Sequence, residues 1–362
     1  MLKESRAMIA SGLFSEVVVA AKWEPGLKVH DVLCANIRVV RIKMHTLDLP
    51  KRRLFQLVKY FEWRRALLTL AKDLIPTAVV AHSLGPLAGA VSVKRQIGCR
   101  LVYDAHELET ERNGLAGLSK LADKWIEKKL IPNCDSVVVV CDSIADWYEK
   151  QYRIRRPVVV RNVPERTSLN PRPNPRLWRD RFGIREQDLV FIYQGGLFRG
   201  RRIEQFLRVF AKAREDRHIV FMGFGGMQSE VENAAKQYRN IHYTPAVKPD
   251  EVLYHTAGAD VGLVGVANVC LSYYYSLPNK LFEFMLAGIP ALMPKYPEMM
   301  RVTEGSGCGW VVGEEDEDWL AAIDNLTHRQ VVEGKEAARI VASNLSWQKE
   351  ATTYVEELRR VL

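Results

Sequence analysis

The strongest constraint on this chain is an alternation of short apolar runs with longer amphipathic stretches, beginning near residue 17. The runs at 17–21, 37–42, 78–81, 100–103 and 136–140 are rich in Val, Ile and Ala, with polar or Gly/Pro punctuation. Between them lie helix-like stretches at 51–74, 86–97 and 117–131. Strands that are apolar on both faces and separated by helices imply βαβ units, and so a parallel, doubly wound α/β sheet. A second series repeats the pattern: strands at 189–193, 218–222, 241–243, 261–264 and 291–293, with helices near 201–214, 227–238, 249–256 and 279–287. The seam between the series is Pro164-Glu165-Arg166 followed by NPRPNPR at 170–176, a stretch that cannot continue a sheet. Two Rossmann-like domains are therefore predicted, over 1–163 and 164–345. A helix at 346–362, N-capped by Ser346, is expected to pack back on the first domain. Such domains place a ligand cleft at the carboxyl ends of their strands.

Charge is distributed unevenly over this frame. The net charge is +9, and residues 1–160 hold 26 Lys/Arg against 17 Asp/Glu, so the whole surplus lies in the first half. Within 51–74 the bases alternate with Phe55, Tyr60, Phe61 and Trp63, which suggests an interfacial helix on an anionic membrane surface. No nucleic-acid-binding module accompanies the charge. The six cysteines show no paired spacing, which favours reduced, buried thiols and a cytoplasmic protein. The amino terminus has no signal-peptide core. Two uncharged windows, 74–93 and 261–279, are interrupted by Pro, Ser, His or Asn, and no transmembrane helix is expected.

Several catalytic classes are excluded by their motifs. Gly223-Phe224-Gly225-Gly226-Met227-Gln228 lacks the last glycine of a dinucleotide fingerprint, and there is no P-loop, nucleophile elbow, HExxH or zinc-type cysteine pair. No metal site is expected. Three glycine-bearing turns in the second domain nevertheless suit a phosphate. Gly195 and Gly196 lead to Arg199 and Arg201; Gly223 and Gly225 form a second turn after a strand. The third is Ser276-Leu277-Pro278-Asn279-Lys280, where Pro278 starts a helix that Gly288 and Pro290 end. Asn279, Lys280 and Glu283 then share its first turns; the lysine can neutralise phosphate, and the carboxylate can accept two hydrogen bonds from a ribose diol. In the first domain, His82 and the group Asp104, His106 and Glu107 follow strands and are expected to face the cleft.

YDAHELETE (103–111), the stretch 141–164, YQGGLFRGRRIEQFL (193–207), TPAVKPDEV (244–252), YSLPNKLFEFMLAGIPAL (275–292) and the final helix opened by Ser346-Trp347 stand in an order that resembles the family 4-type glycosyltransferases of the GT-B fold, close to those of bacterial surface-polysaccharide clusters. The resemblance implies two Rossmann-like domains facing across a cleft. A nucleotide-sugar donor would bind the second domain and a glycan acceptor, lipid-linked, the first, with transfer retaining the anomeric configuration and no metal or other cofactor. It implies that Arg201, Arg199 and Lys280 hold the diphosphate, Glu283 the ribose, and Ala246 and Val247 the base. It makes His106 and Lys280 the catalytic residues, with His82, Asp104 and Glu107 on the acceptor side, and places the protein peripherally at the inner face of the cell membrane.

Three positions depart from the family pattern. Tyr275 stands where a first acid precedes Glu283 by eight residues, Gly196 stands where relatives carry an arginine, and residues 2–20 match the family's first helix and second strand, so the opening strand is absent. Either the start lies upstream or the form is shortened. Two other readings remain: a sugar-nucleotide epimerase of the same architecture, and a catalytically impaired partner of an assembly complex.

Overall fold

A computed structural model describes residues 1–50, 53–165 and 174–362. The start of the basic stretch (51–52) and most of the Pro- and Asn-rich seam (166–173) lie outside the described residues. The chain divides into two compact units, Met1–Arg161 with Gln348–Leu362, and Asn162–Trp347.

The first unit runs α1 (Leu2–Ala10), β1 (Val17–Lys22), β2 (His30–Cys34), β3 (Ile37–Ile42), α2 (Arg53–Leu74), β4 (Ala78–His82), α3 (Leu84–Ile97), β5 (Arg100–Ala105), α4 (Gly117–Leu130), β6 (Ser136–Val139), α5 (Asp142–Tyr152) and β7 (Val158–Val159). Its strands form two sheets rather than the single sheet expected: β1-β3-β2 and β4-β5-β6-β7. The larger sheet is parallel throughout, β1 is parallel to β3, and β2 pairs antiparallel with β3 through an irregularity between Val32 and Cys34. Among the described residues nothing pairs β1 with β4. Their free edges line a slot of about 440 Å³, whose other walls come from Met1, Ser5 and Met8 of the amino-terminal segment, Trp63 and Leu67 of α2, and Ala90 and Val93 of α3. Successive residues of a strand point to opposite faces. Val17, Val18, Val19 and Ala20 all line the slot, as do Ala78 to His82, so it is the strand edges that face it.

The second unit runs α6 (Leu177–Phe182), β8 (Leu189–Gly196), α7 (Ile203–Phe210), β9 (Arg217–Phe224), α8 (Gln228–Gln237), β10 (Ile241–Thr244), α9 (Val252–Thr256), β11 (Val261–Leu263), α10 (Leu271–Tyr274), α11 (Asn279–Leu286), β12 (Ala291–Pro294), α12 (Pro297–Thr303), β13 (Gly309–Val312), α13 (Asp316–Asn325) and α14 (His328–Asn344). Its strands make one sheet, β10-β9-β8-β11-β12-β13, with every pair parallel. Phe191, Tyr193, Phe206, Phe210, Phe221 and Trp319 fill one core, each fully buried. The last helix, α15 (Trp347–Val361), opens directly after Ser346 and returns to the first unit. There the Glu350 carboxylate accepts from the Arg161 amide at 2.9 Å and its guanidinium at 2.6 Å, and Glu357 accepts from the Ser136 hydroxyl at 2.5 Å.

All six cysteines are free thiols, with Cys99, Cys141 and Cys308 buried and the others half-buried. Among the described residues no helix is long and apolar enough to cross a membrane.

Candidate functional site

In the second unit the strand order reverses beside β8: β9 and β10 lie on one side, β11 to β13 on the other. Crossovers leave such a point on opposite faces and open a crevice at the carboxyl ends of the strands. β8 ends there. The sequence places Gly195 and Gly196 in a turn after residue 193, but β8 continues through both, paired with Gly223 and Phe224 of β9. This pairing gives the next glycines a backbone role. A Cβ on Gly223 would sit 1.9 Å from the Gly195 carbonyl oxygen, and one on Gly225 (φ +151°) 2.4 Å from that of Leu197.

The amine of Lys280 hangs over this strand end. Its Nζ lies 4.0 Å from the centre of the Tyr193 ring and 3.8 Å from where a Gly195 Cβ would be. Pro278 caps α11 in an extended conformation and no side chain caps its first turn, so the leading amides are open to an anion. Desolvation, and then the nearby Arg201 charge, push the Lys280 amine down to about 7, against the opposing pull of Glu283. Arg201 is held 4.8 Å over the ring of Tyr273. One turn further along α11, Glu283 accepts from the Gln194 amide at 2.6 Å; the Gln194 oxygen in turn accepts from the Thr256 hydroxyl. Burial raises the Glu283 carboxyl, while Gln194 and Lys280 oppose that rise. The group therefore joins two cations, a carboxylate and an open helix start beside a strand end.

Not every expected residue joins it. Arg199 is exposed on the turn after β8, and Asn279 is exposed at the head of α11. Ala246 (exposed) and Val247 (half-buried) stand on the segment following β10. The next arginine, Arg202, is buried and committed to the scaffold, donating to the Val266 carbonyl at 2.8 Å, the Gln205 oxygen at 2.5 Å and Glu314. Gln194, Thr256, Tyr193 and Tyr273 have no local sequence signal.

In the first unit, β4 and β5 pair His82 with Asp104 in register. Asp104 is buried, and its Oδ2 lies 2.9 Å from His82 Nδ1. His106, exposed just past β5, brings Nε2 to 3.0 Å from the same nitrogen and 3.7 Å from the carboxylate. The imidazoles stack with centroids 5.2 Å apart. Glu4 of α1 adds a carboxylate oxygen 3.9 Å from His82 Nδ1. Glu107 instead lies 3.9 Å from Arg112. Beside the pair, Ser83 adopts φ +72°, a conformation that costs a non-glycine residue about 1–3 kcal/mol and clusters at functional sites. Its amide donates to the Asp104 carbonyl at 2.9 Å. The ligand-type atoms of His82, Asp104 and His106 lie within 4.8 Å of one another, close enough to share a metal ion.

The glycosyltransferase family 4 profile matches residues 4–163, and the glycosyl transferases group 1 profile matches residues 175–344. The chain is a family 4-type glycosyltransferase of the GT-B fold. Solved structures of the same fold are distant in sequence. The sucrose-phosphate synthase of Thermosynechococcus elongatus is 14% identical, with a TM-score of 0.78 over 99% of this chain and 92% of that one. WaaG, a glycosyltransferase involved in lipopolysaccharide biosynthesis, is 17% identical, with a TM-score of 0.67 over 98% and 93%. Anabaena Alr3699/HepE, solved in complex with UDP-glucose, is 13% identical, with a TM-score of 0.68 over 89% and 86%. No curated protein sequence matches the chain significantly.

Proposed function

We propose that this glycosyltransferase moves a sugar from a nucleotide-sugar donor to a lipid-linked glycan at the inner face of the cytoplasmic membrane, with retention of configuration. The observation that carries the reading is Lys280, a half-buried amine held over the β8 strand end with its charge weakened by desolvation and by Arg201. A diphosphate supplies the counter-charge that this pair lacks. Arg201 and Lys280 bind it, the open amides of α11 add their dipole, and Glu283, held by Gln194, accepts from the ribose hydroxyls. As the glycosidic bond breaks, the same two cations offset the charge growing on the leaving diphosphate, which is electrostatic stabilisation by the chain's own side chains and needs no divalent ion. Gly195 and Gly196 let the donor approach the backbone, Ala246 and Val247 line the base, and Arg199 reaches in from its exposed turn. In the first unit His106 serves the reacting sugar, and Asp104 orients His82 through its Nδ1, the nitrogen that also meets His106; Glu107 belongs to the acceptor side.

The test is turnover and thermal shift with a panel of UDP-, GDP-, ADP- and dTDP-sugars, followed by the anomeric configuration of the product. Lys280→Ala and Glu283→Gln are each expected to lower turnover. Unchanged turnover in both variants removes the donor-site assignment, and turnover that proceeds without any acceptor favours an epimerase.

A further inference from the structure

The histidine pair of the first unit gathers more lone pairs than hydrogens. His82 Nδ1 has two neighbours at bonding distance, Asp104 Oδ2 at 2.9 Å and His106 Nε2 at 3.0 Å, and it carries at most one hydrogen. If that hydrogen goes to Asp104, His106 Nε2 is left against a nitrogen with nothing to offer it. If instead His106 donates to His82, the carboxylate oxygen faces a bare nitrogen lone pair. Glu4 Oε2, from α1, stands 3.9 Å from the same nitrogen. It is buried, accepts no amide or hydroxyl hydrogen bond, and is balanced by the Met1 ammonium at 2.6 Å. Near the two carboxylates the Tyr354 side chain of α15 is fully buried with its hydroxyl unpartnered. The charges of Asp104 and Glu4 add to burial in holding its proton.

We propose that these side chains form a site for one divalent transition ion of the zinc class, with His82 Nδ1, His106 Nε2, Asp104 Oδ2 and Glu4 Oε2 as its ligands. Zinc bonds of about 2.0–2.1 Å in a tetrahedron place the ligand atoms about 3.3 Å apart. The separations here, 2.9 and 3.0 Å on two edges and 3.7 and 3.9 Å on two more, bracket that value. Imidazole nitrogens suit zinc, whereas calcium and magnesium favour oxygen alone. A central cation meets every lone pair that one hydrogen cannot, and the Tyr354 hydroxyl is a spare donor beside the carboxylates. β4 and β5 fix His82 and Asp104 in register, and the exposed edge of His106 leaves the ion a way in. The diphosphate chemistry needs no such ion. Held by it, His106 Nε2 is withdrawn from the reacting sugar, so occupation shuts the enzyme off. That consequence rests on the role proposed for His106; the binding does not.

The full chain, stripped with a chelator, is titrated with Zn²⁺ by calorimetry and with Co²⁺ by visible absorption. One ion per chain is expected. Cobalt should show the d–d bands of tetrahedral nitrogen and oxygen ligation without a thiolate charge-transfer band, which separates this site from the six free cysteines. His82→Asn and Asp104→Asn should each weaken binding about 100-fold or more and Glu4→Gln about tenfold, while His328→Asn, exposed on α14, should leave it unchanged. Thermal midpoints without the ion show whether each variant is folded. Zn²⁺ should also protect His106 from carbethoxylation by diethyl pyrocarbonate, read by mass spectrometry, in the parent chain but not in Asp104→Asn. A thiolate band, affinity weaker than about 1 mM, or unchanged affinity in folded His82→Asn and Asp104→Asn overturns the site. Carbethoxylation of His106 that persists with the ion bound overturns the shut-off. Neither result touches the donor site, since no readout here uses turnover or nucleotide.

Discussion

At the scale of the residue, the role proposed for Lys280 is set against stability. Its pKa of about 7 against an ordinary 10.5 means the folded protein binds fewer protons than the unfolded chain between those values. The cost of the buried charge is therefore full below pH 7 and is relieved as pH rises. Lys280→Met is expected to raise the thermal midpoint of the ligand-free protein by a few degrees at pH 6 and by less at pH 9, while turnover falls on the order of 10²–10³-fold. Calorimetry and a donor assay check the two halves. A bound diphosphate restores the charge, so nucleotide binding at pH 8 should take up protons, read from titrations in buffers of different ionisation enthalpy. Lys280 and Glu283 were legible in sequence because Pro278 and Gly288 bracket their helix. Gln194, which holds Glu283, was not: the two are 89 positions apart, and only the fold brings them together.

At the scale of the element, the glycines ending β8 and β9 act through each other. Gly223→Ala would put a methyl where the Gly195 oxygen lies, so the strand end that carries the proposed donor site must shift. The expected cost is about 1–3 kcal/mol in denaturant melts, together with a raised donor KM. Most strands were legible from runs of Val and Ile. β2 was not, since it opens on His30 and Asp31 and leaves Val32 and Leu33 exposed at a sheet edge; nor was β13, a run of only four residues that opens on a glycine. The stretch 117–131 read correctly as a helix, yet periodicity alone cannot tell which face turns inward. In α4 that is decided by Tyr103, Tyr148 and Tyr152, which arrive from β5 and α5.

At the scale of the molecule, two units with separate cores predict two calorimetric transitions, with a nucleotide raising the one that belongs to residues 162–347. A single transition shifted as a whole would mean that the units melt together. The first unit also borrows its last helix from the far end of the chain, so Glu350→Ala, which leaves Arg161 without its carboxylate, should lower that unit's transition alone. The slot between β1 and β4 gives this unit a further property. No ladder of backbone hydrogen bonds crosses it among the described residues, and the three-stranded and four-stranded pieces are joined there only by side-chain contact. Shear along that line breaks no backbone hydrogen bond within either sheet, so the first unit is expected to breathe along an axis that passes beside His82. Amide exchange should register it, with β1 and β4 trading their protons well before β5 and β6.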